Sequence, residues 1–139
     1  MNINSKKVKN VNGLDIFILE SGQQHKKKNF NILLLHGFPE LSLSFNPIMK
    51  ELTKTGFYCV APDQRGYGKT LFRSEVEKNL NKFSVINLTK DIFILLKRLN
   101  IDNVHIIGHD FGAYVASYFS LIYPKMVASI VLMSMPFGG

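Results

Sequence analysis

The sequence has 139 residues, of which 46% are hydrophobic and 19% charged, a composition typical of one globular domain rather than a disordered chain. Its apolar runs, such as residues 130–133, are too short to cross a bilayer, and the polar, lysine-rich N-terminus has no apolar signal-peptide core. Cys59 is the single cysteine, which excludes an intramolecular disulfide and suits a reducing compartment. We therefore expect a soluble, cytoplasmic protein with no membrane partner.

The net charge of +7 raises the question of a polyanionic partner. The lysines are scattered along the chain, except for the run at 26–28, and no aromatic or arginine-rich groove pattern accompanies them. We interpret the lysine run as a solvated loop and expect no nucleic-acid partner.

The N-terminal half of the chain predicts a hairpin followed by a strand, a helix and a second strand. Asn12-Gly13 separates residues 7–10 from 14–20 and is a strong two-residue hairpin signal. The continuous apolar runs 32–35 and 58–61 predict buried strands. Between them, residues 45–54 predict a helix that stops at Gly56, and its inward residues are expected to be Ile48, Met49 and Leu52.

The C-terminal half continues the alternation of helices and strands. Residues 73–82 are polar and predict a surface excursion. A helix is expected from Ser84, a candidate N-cap, to residue 100, with an inward apolar stripe (Leu88, Ile92, Leu95, Leu96 and Leu99). A strand at 104–107, a helix at 111–123 and a strand at 127–134 follow. The pattern predicts an α/β fold with a mostly parallel sheet of about six strands and an antiparallel N-terminal hairpin.

Residues 108–112, Gly-His-Asp-Phe-Gly, form what we call the elbow, between a predicted buried strand and a predicted helix. In that context, two glycines permit a turn so tight that the central side chain, Asp110, stands above the sheet. A carboxylate there can attack carbon and form an ester with the protein. The alternative is an ordinary turn whose glycines relieve crowding, and this motif alone does not separate the two interpretations.

His36-Gly37-Phe38-Pro39 follows the first buried strand, at the end of the sheet where such folds place their active sites. Gly37 permits close backbone approach and Pro39 stiffens the turn, so the N–H of Phe38 can point at the space above Asp110. Paired with the N–H of Phe111, it would form an oxyanion hole. The alternative is a rigid loop with a structural His36.

Residues 63–70, Asp-Gln-Arg-Gly-Tyr-Gly-Lys-Thr, contain half of a phosphate-binding loop. The full pattern needs glycine five residues before Gly68, where this chain has Asp63, whose charge would repel a phosphate. We interpret the segment as a structural turn held by Asp63 and Arg65, and we expect neither a cofactor nor a metal.

These three segments resemble the epoxide hydrolases of the α/β-hydrolase superfamily. Residues 36–40 (His-Gly-Phe-Pro-Glu), 61–68 (Ala-Pro-Asp-Gln-Arg-Gly-Tyr-Gly) and the elbow match in order and spacing, and the resemblance extends to residues 134–137. It implies that Asp110 is the nucleophile and that the backbone N–H groups of Phe38 and Phe111 are the oxyanion hole. The implied reaction opens a small apolar epoxide, forms an ester at Asp110 and hydrolyses that ester to a diol.

The rest of the family's machinery lies beyond the matching stretch. In the family the lid tyrosines, the triad acid and the triad histidine all follow it, and none of the histidines here is well placed to activate water. His109, for example, neighbours Asp110, and adjacent side chains in a tight turn diverge. We therefore expect residues 1–139 to be the N-terminal part of an α/β-hydrolase core domain, without the lid and the C-terminal core. A separately encoded C-terminal part stays open as a partner.

Three alternative functions stay open on the sequence: a haloalkane dehalogenase, an esterase-like relative and a catalytically inactive remnant. Related dehalogenases commonly place tryptophan after the nucleophile, where the indole N–H holds the leaving halide. Here that residue is Phe111, whose side chain has no hydrogen-bond donor. The resemblance therefore favours epoxide opening over dehalogenation.

Overall fold

The structure, a computed structural model, describes residues 2–26, 30–74 and 80–136. Its strands are β1 (Asn4–Val11), β2 (Leu14–Ser21), β3 (Asn31–Leu35), β4 (Tyr58–Pro62), β5 (Leu71–Phe72), β6 (Val104–His109) and β7 (Val127–Met133). Its α-helices are α1 (Asn46–Lys54), α2 (Val85–Arg98) and α3 (Phe111–Ile122). The predicted lysine loop and the predicted surface excursion at 73–82 lie partly outside the described residues. None of the described helices is both long enough and apolar enough to cross a membrane.

All seven described strands belong to one sheet with the order β1-β2-β4-β3-β6-β7, and β5 pairs with β2. β3 runs parallel to β4 and β6, and β6 runs parallel to β7. β2 is antiparallel to both β1 and β4. The predicted α/β fold, with a mostly parallel sheet and an antiparallel N-terminal hairpin, is confirmed.

The hairpin of β1 and β2 forms where the sequence predicts it. Val11 lies opposite Leu14, and the two residues between them both have positive φ, 50° for Asn12 and 79° for Gly13. Two positive φ values define the turn whose twist matches that of the flanking strands, which explains why Asn-Gly is preferred there.

The core lies on both faces of the sheet, because successive strand residues point in opposite directions. Ile32 and Leu34 of β3 pack on the face covered by α1, with Phe45 and Met49. Leu33, the residue between them, packs on the face covered by α2 and α3. All five predicted stripe residues of α2 are buried, and the N–H of Asn87 donates to Ser84 Oγ, as expected of an N-cap.

One local expectation was wrong and one short element was missed. Ile48 was expected to face inward in α1, but it is 37% exposed, whereas Met49 is fully buried. The helix begins at Asn46, after a 3₁₀ turn that buries Phe45, so the buried stripe is centred on Met49 and leaves Ile48 at its margin. The two-residue strand β5 was not predicted, because two residues are too few to show the alternating pattern of a strand.

The turn at 63–70 is held by Asp63 and Arg65, as predicted, but through separate partners. Asp63 accepts hydrogen bonds from the N–H and Oγ–H of Ser42 (3.0 and 2.7 Å) and from the N–H of Lys69 (2.9 Å). Arg65 donates two hydrogen bonds of 2.7 Å to the carboxylate of Asp91. Both acidic side chains are buried, so this polar turn is part of the folded core.

Replacing Arg65 by methionine is expected to lower the free energy of unfolding by about 3–5 kcal/mol, because it leaves the buried Asp91 without its countercharge. Urea denaturation measures this directly. The double variant Arg65→Met/Asp91→Leu should recover much of the loss. Lys97→Met, which removes an exposed ion pair to Asp102, is the control and should cost less than about 1 kcal/mol. Equal losses of stability in Arg65→Met and Lys97→Met would contradict this account of the buried pair.

Candidate active site

Asp110 lies at the junction of β6 and α3, in a backbone conformation that few side chains adopt. Its φ is 51° and its ψ is −116°, a region that costs a non-glycine residue on the order of 1–3 kcal/mol. The N–H of Asp110 donates to the carbonyl of Met133 (2.9 Å), and its carbonyl accepts from the N–H of Ala113 (2.9 Å). These hydrogen bonds tie the strained residue to β7 and to the first turn of α3. The elbow is therefore the sharp strand-to-helix turn that the sequence predicts.

The loop after β3 meets the elbow at Gly37. A Cβ at Gly37 would lie 2.8 Å from Asp110 Cβ and 3.1 Å from Asp110 Oδ1, so a side chain would push the loop away. In its absence, the N–H of Phe38 donates to Asp110 Oδ1 at 3.0 Å. The backbone N–H of Phe111, the next residue in the chain, is near enough to the same carboxylate to lower its pKa. The structure thus brings together Asp110 and the two backbone amides that the sequence singled out.

The neighbouring backbone N–H groups favour the ionised form of Asp110. The hydrogen bond from Phe38, and to a lesser extent the nearby backbone N–H of Phe111, lowers the pKa of Asp110 below its ordinary value. The side chain is half-buried, so one part of the carboxylate is held by amides while solvent and small molecules still reach the group. At neutral pH it is an ionised, accessible carboxylate.

A second polar pair, Glu40 and His109, lies beside the elbow. Glu40 Oε2 is 3.0 Å from His109 Nδ1 and accepts a hydrogen bond from the N–H of Gly37 (3.1 Å). The hydrogen bond from His109, and then that from Gly37, lowers the pKa of Glu40. Glu40 therefore links the elbow to the loop after β3. The sequence analysis quoted Glu40 as part of a motif but assigned it no contact.

The histidines of the chain make contacts elsewhere than at the Asp110 carboxylate. His109 is directed at Glu40, and His36 is fully buried between two loops. Nδ1 of His105 lies 2.8 Å from Ser129 Oγ on the neighbouring strand, and His25 contacts Gln24. These contacts agree with the expectation that none of them is placed to activate water at Asp110.

A strand, a tight elbow bearing a nucleophile-type side chain and a helix, set in a mostly parallel sheet, define the α/β-hydrolase class. Residues 31–138 match the family model described as alpha/beta hydrolase fold, and the chain belongs to this family.

Several proteins similar in sequence to this chain are epoxide hydrolases. Epoxide hydrolase 3 of Siraitia grosvenorii is 34% identical over 128 residues, which cover 92% of this chain and 38% of that protein. Epoxide hydrolase A of Mycobacterium tuberculosis is 30% identical over 132 residues, covering 95% of this chain and 39% of that protein. The resemblance to the N-terminal part of epoxide hydrolases is confirmed.

Solved structures give the same result. The epoxide hydrolase VrEH1 from Vigna radiata superposes with a TM-score of 0.85 at 34% identity, covering 98% of this chain and 39% of that one. A laboratory-evolved variant of the potato epoxide hydrolase StEH1 superposes with a TM-score of 0.88 at 36% identity, covering 99% of this chain and 41% of that one. The chain thus spans about two-fifths of the length of the proteins it matches.

Proposed function

We propose that this chain carries the nucleophile and the oxyanion hole of an epoxide hydrolase, with Asp110 as the nucleophile and the N–H groups of Phe38 and Phe111 as the hole. The observation that supports this most is the ionised aspartate at the elbow, whose Oδ1 accepts a hydrogen bond from the N–H of Phe38 at 3.0 Å and whose pKa is also lowered by the backbone N–H of Phe111. Attack by a carboxylate on a carboxylic ester would give a reactive anhydride. Attack on an epoxide gives a stable ester, so the residue type favours an epoxide over an esterase substrate.

In the first proposed step, the free oxygen of the Asp110 carboxylate attacks an epoxide carbon. A C–O bond forms to Asp110, the C–O bond of the strained ring breaks, and its electron pair goes to the epoxide oxygen, which takes up a proton. The product is a hydroxyalkyl ester of Asp110. Phe111 adjoins Asp110 in the chain, and its ring packs against that of Tyr67 with centroids 6.2 Å apart, which favours a small apolar epoxide.

In the second proposed step, water attacks the ester carbon of Asp110 rather than the substrate carbon. Oδ1, which accepts from Phe38 at 3.0 Å, is then the ester carbonyl oxygen, and negative charge develops on it. The N–H of Phe38 is already directed at this oxygen, and together with the N–H of Phe111 it stabilises the developing charge. Collapse of the intermediate releases the diol and restores the carboxylate.

Two groups needed for turnover are proposed to come from outside these 139 residues. The epoxide oxygen needs a general acid and the attacking water needs a general base, each typically worth about 10²–10⁴-fold in rate. The resemblance implies lid tyrosines for the first role and a histidine with its triad acid for the second. A C-terminal part, continuous with this chain or separately encoded, would supply them.

Peptide mass spectrometry tests this function and separates it from dehalogenation. Asp110 of the purified chain should be alkylated by styrene oxide and also by phenethyl bromide. Both reagents give an alkyl ester of the Asp110 carboxylate. In Phe111→Trp, the rate of bromide labelling divided by that of epoxide labelling should rise about tenfold or more, because an indole N–H can stabilise the departing halide. The general acid for epoxide opening is missing from both the wild type and the variant, so its effect cancels when their bromide-to-epoxide rate ratios are compared. An unchanged ratio would contradict the role given to Phe111, and labelling that spares Asp110 would contradict the proposed function.

The pH dependence of labelling should follow the lowered pKa of Asp110. The carboxylate is the reactive form, and its folded pKa lies below the ordinary value, which is about 3.9. Labelling should therefore be constant from neutral pH down to that range and should fall only as the pH passes through the lower, folded pKa. Adduct formation at a series of acidic pH values, normalised to the folded fraction, measures this. Half-maximal labelling near neutral pH would contradict it.

A further inference from the structure

The peptide unit between Gly37 and Phe38 has its N–H directed at Asp110 and its carbonyl held by hydrogen bonds on the opposite side. A trans peptide plane points its C=O and its N–H in opposite directions, so fixing one fixes the other. The N–H of this unit donates to Asp110 Oδ1 at 3.0 Å. Its carbonyl lies 2.9 Å from Nδ1 of His36 and accepts from the N–H of Glu40 at 3.1 Å. The orientation of the amide at Asp110 therefore depends on what holds the carbonyl of Gly37.

The protonation of the His36 ring follows from its second contact. The backbone N–H of Gln64 lies 3.0 Å from Nε2 of His36, and an N–H can only donate, so Nε2 must be unprotonated. The ring is then neutral with its hydrogen on Nδ1, which donates to the carbonyl of Gly37. His36 is fully buried, and this burial lowers its pKa and favours the same neutral form.

Gln64 holds His36 at a second point. Its side-chain Nε2 donates to the backbone carbonyl of His36 at 2.7 Å, in addition to the backbone contact with the ring. Gln64 is 4% exposed, so water does not compete for either hydrogen bond. The ring of Tyr67 packs edge-on against the His36 ring, with centroids 4.8 Å apart. The segment after β4 thereby fixes both the backbone and the ring of His36.

We propose that Gln64 is a positioning residue: through His36 it sets the orientation of the Gly37–Phe38 peptide, and with it the oxyanion hole at Asp110. The hydrogen bonds that Gln64 makes with this region run to His36 rather than to Asp110, so it acts through the chain of contacts just described. This role deepens the proposed function and rests on it for its catalytic meaning. The geometric claim itself is testable without an epoxide.

The test uses the full chain and the variant Gln64→Met, which keeps the length and approximate volume of the side chain but removes the amide donor. The pKa of Asp110 is measured from the carboxyl ¹³C resonance, assigned with Asp110→Asn, and the Phe38 amide proton shift is followed in parallel. We expect the pKa of Asp110 to rise toward its ordinary value and the Phe38 proton to move upfield. The other titratable groups around Asp110 (His36, Glu40, Tyr67 and His109) are the same in both proteins.

Ser21→Ala is the matched control. It removes a buried side-chain hydrogen bond, 2.7 Å long, to Thr53. Ser21 pairs with Cys59 at the start of β4, whereas Gln64 follows the end of that strand, so the control lies at the opposite end of the sheet. It should leave both readouts unchanged, and a shift like that of Gln64→Met would show a general loss of stability and overturn the proposal.

A folded Gln64→Met protein with the wild-type pKa of Asp110 and the wild-type Phe38 shift would also overturn it. If that variant does not fold, Gln64→Asn provides the same measurement with a shortened amide. In the wild-type protein the proposal also requires slow hydrogen exchange at the Gln64 side-chain amide, and fast exchange would count against it. A shift in Gln64→Met without any labelling of Asp110 by epoxides would retain the positioning role and reject the proposed function.

Discussion

Replacing Asp110 by asparagine should abolish covalent labelling of the chain by a reactive epoxide such as styrene oxide. Asparagine tolerates positive φ as well as aspartate does, so the elbow, with its φ of 51°, keeps its backbone. The carboxamide is neutral and cannot form the ester. Intact-mass and peptide mass spectrometry should therefore find the adduct at Asp110 in the wild-type chain and none in the variant.

The control for this experiment is Asp102→Asn. Asp102 is an exposed carboxylate with one ion pair, to Lys97, and it receives none of the backbone hydrogen bonds that define the elbow. This variant should be labelled at the wild-type rate. Equal labelling of Asp110→Asn and the wild type would mean that the epoxide reacts with ordinary surface groups, and the proposed nucleophile would be wrong.

The wild-type chain of 139 residues should also stop after one equivalent of epoxide. Each of its histidines has a hydrogen-bonding partner other than Asp110, namely Glu40, Gln64, Ser129 or Gln24, so none is expected to activate water at the ester. Without a general base, hydrolysis of the ester should be slower by about 10²–10⁴-fold. Sustained diol production by the pure chain would contradict this, and His109 would then be the first candidate for the base.

Much of the fold could be predicted because its signals are local. The Asn12-Gly13 turn, the apolar run of β3 and the Ser84 cap each depend on a few adjacent residues. Prediction failed where an element is too short to show a pattern, or where its orientation depends on a residue outside the element. β5 has two residues, and the inward face of α1 depends on Phe45, which lies in a 3₁₀ turn rather than in the helix.

In the candidate site too, the residues set by local motifs could be predicted and the contacts between distant segments could not. Asp110 and the amides of Phe38 and Phe111 could be named because short motifs fix their backbone geometry. The side chains that hold those motifs in place could not be predicted. Glu40 meets His109 across 69 positions of sequence and His36 meets Gln64 across 28, and such pairs follow from strand order and register rather than from any pattern within one segment.

Gly112→Val should strongly destabilise the fold. Gly112 lies in the first turn of α3, where the helix crosses the end of β3. A Cβ there would stand 2.0 Å from the carbonyl oxygen of Leu35 and 2.7 Å from that of His36. Those atoms belong to the central strand and to the loop that carries Phe38, so they cannot swing aside as a side chain can. The variant should lose at least about 3 kcal/mol, a large share of the roughly 5–15 kcal/mol of a typical domain.

Gly56→Ala separates this collision from the general cost of replacing a glycine. Gly56 has a φ of +93° and no atom within 4 Å of an added Cβ, so its replacement should cost only the backbone strain, about 1–2 kcal/mol. Urea denaturation of both variants measures the difference. A Gly112→Val protein as stable as Gly56→Ala would mean that α3 can move away from β3. The first turn of that helix carries the N–H of Phe111, so the elbow would then be far less rigid than the proposed oxyanion hole requires.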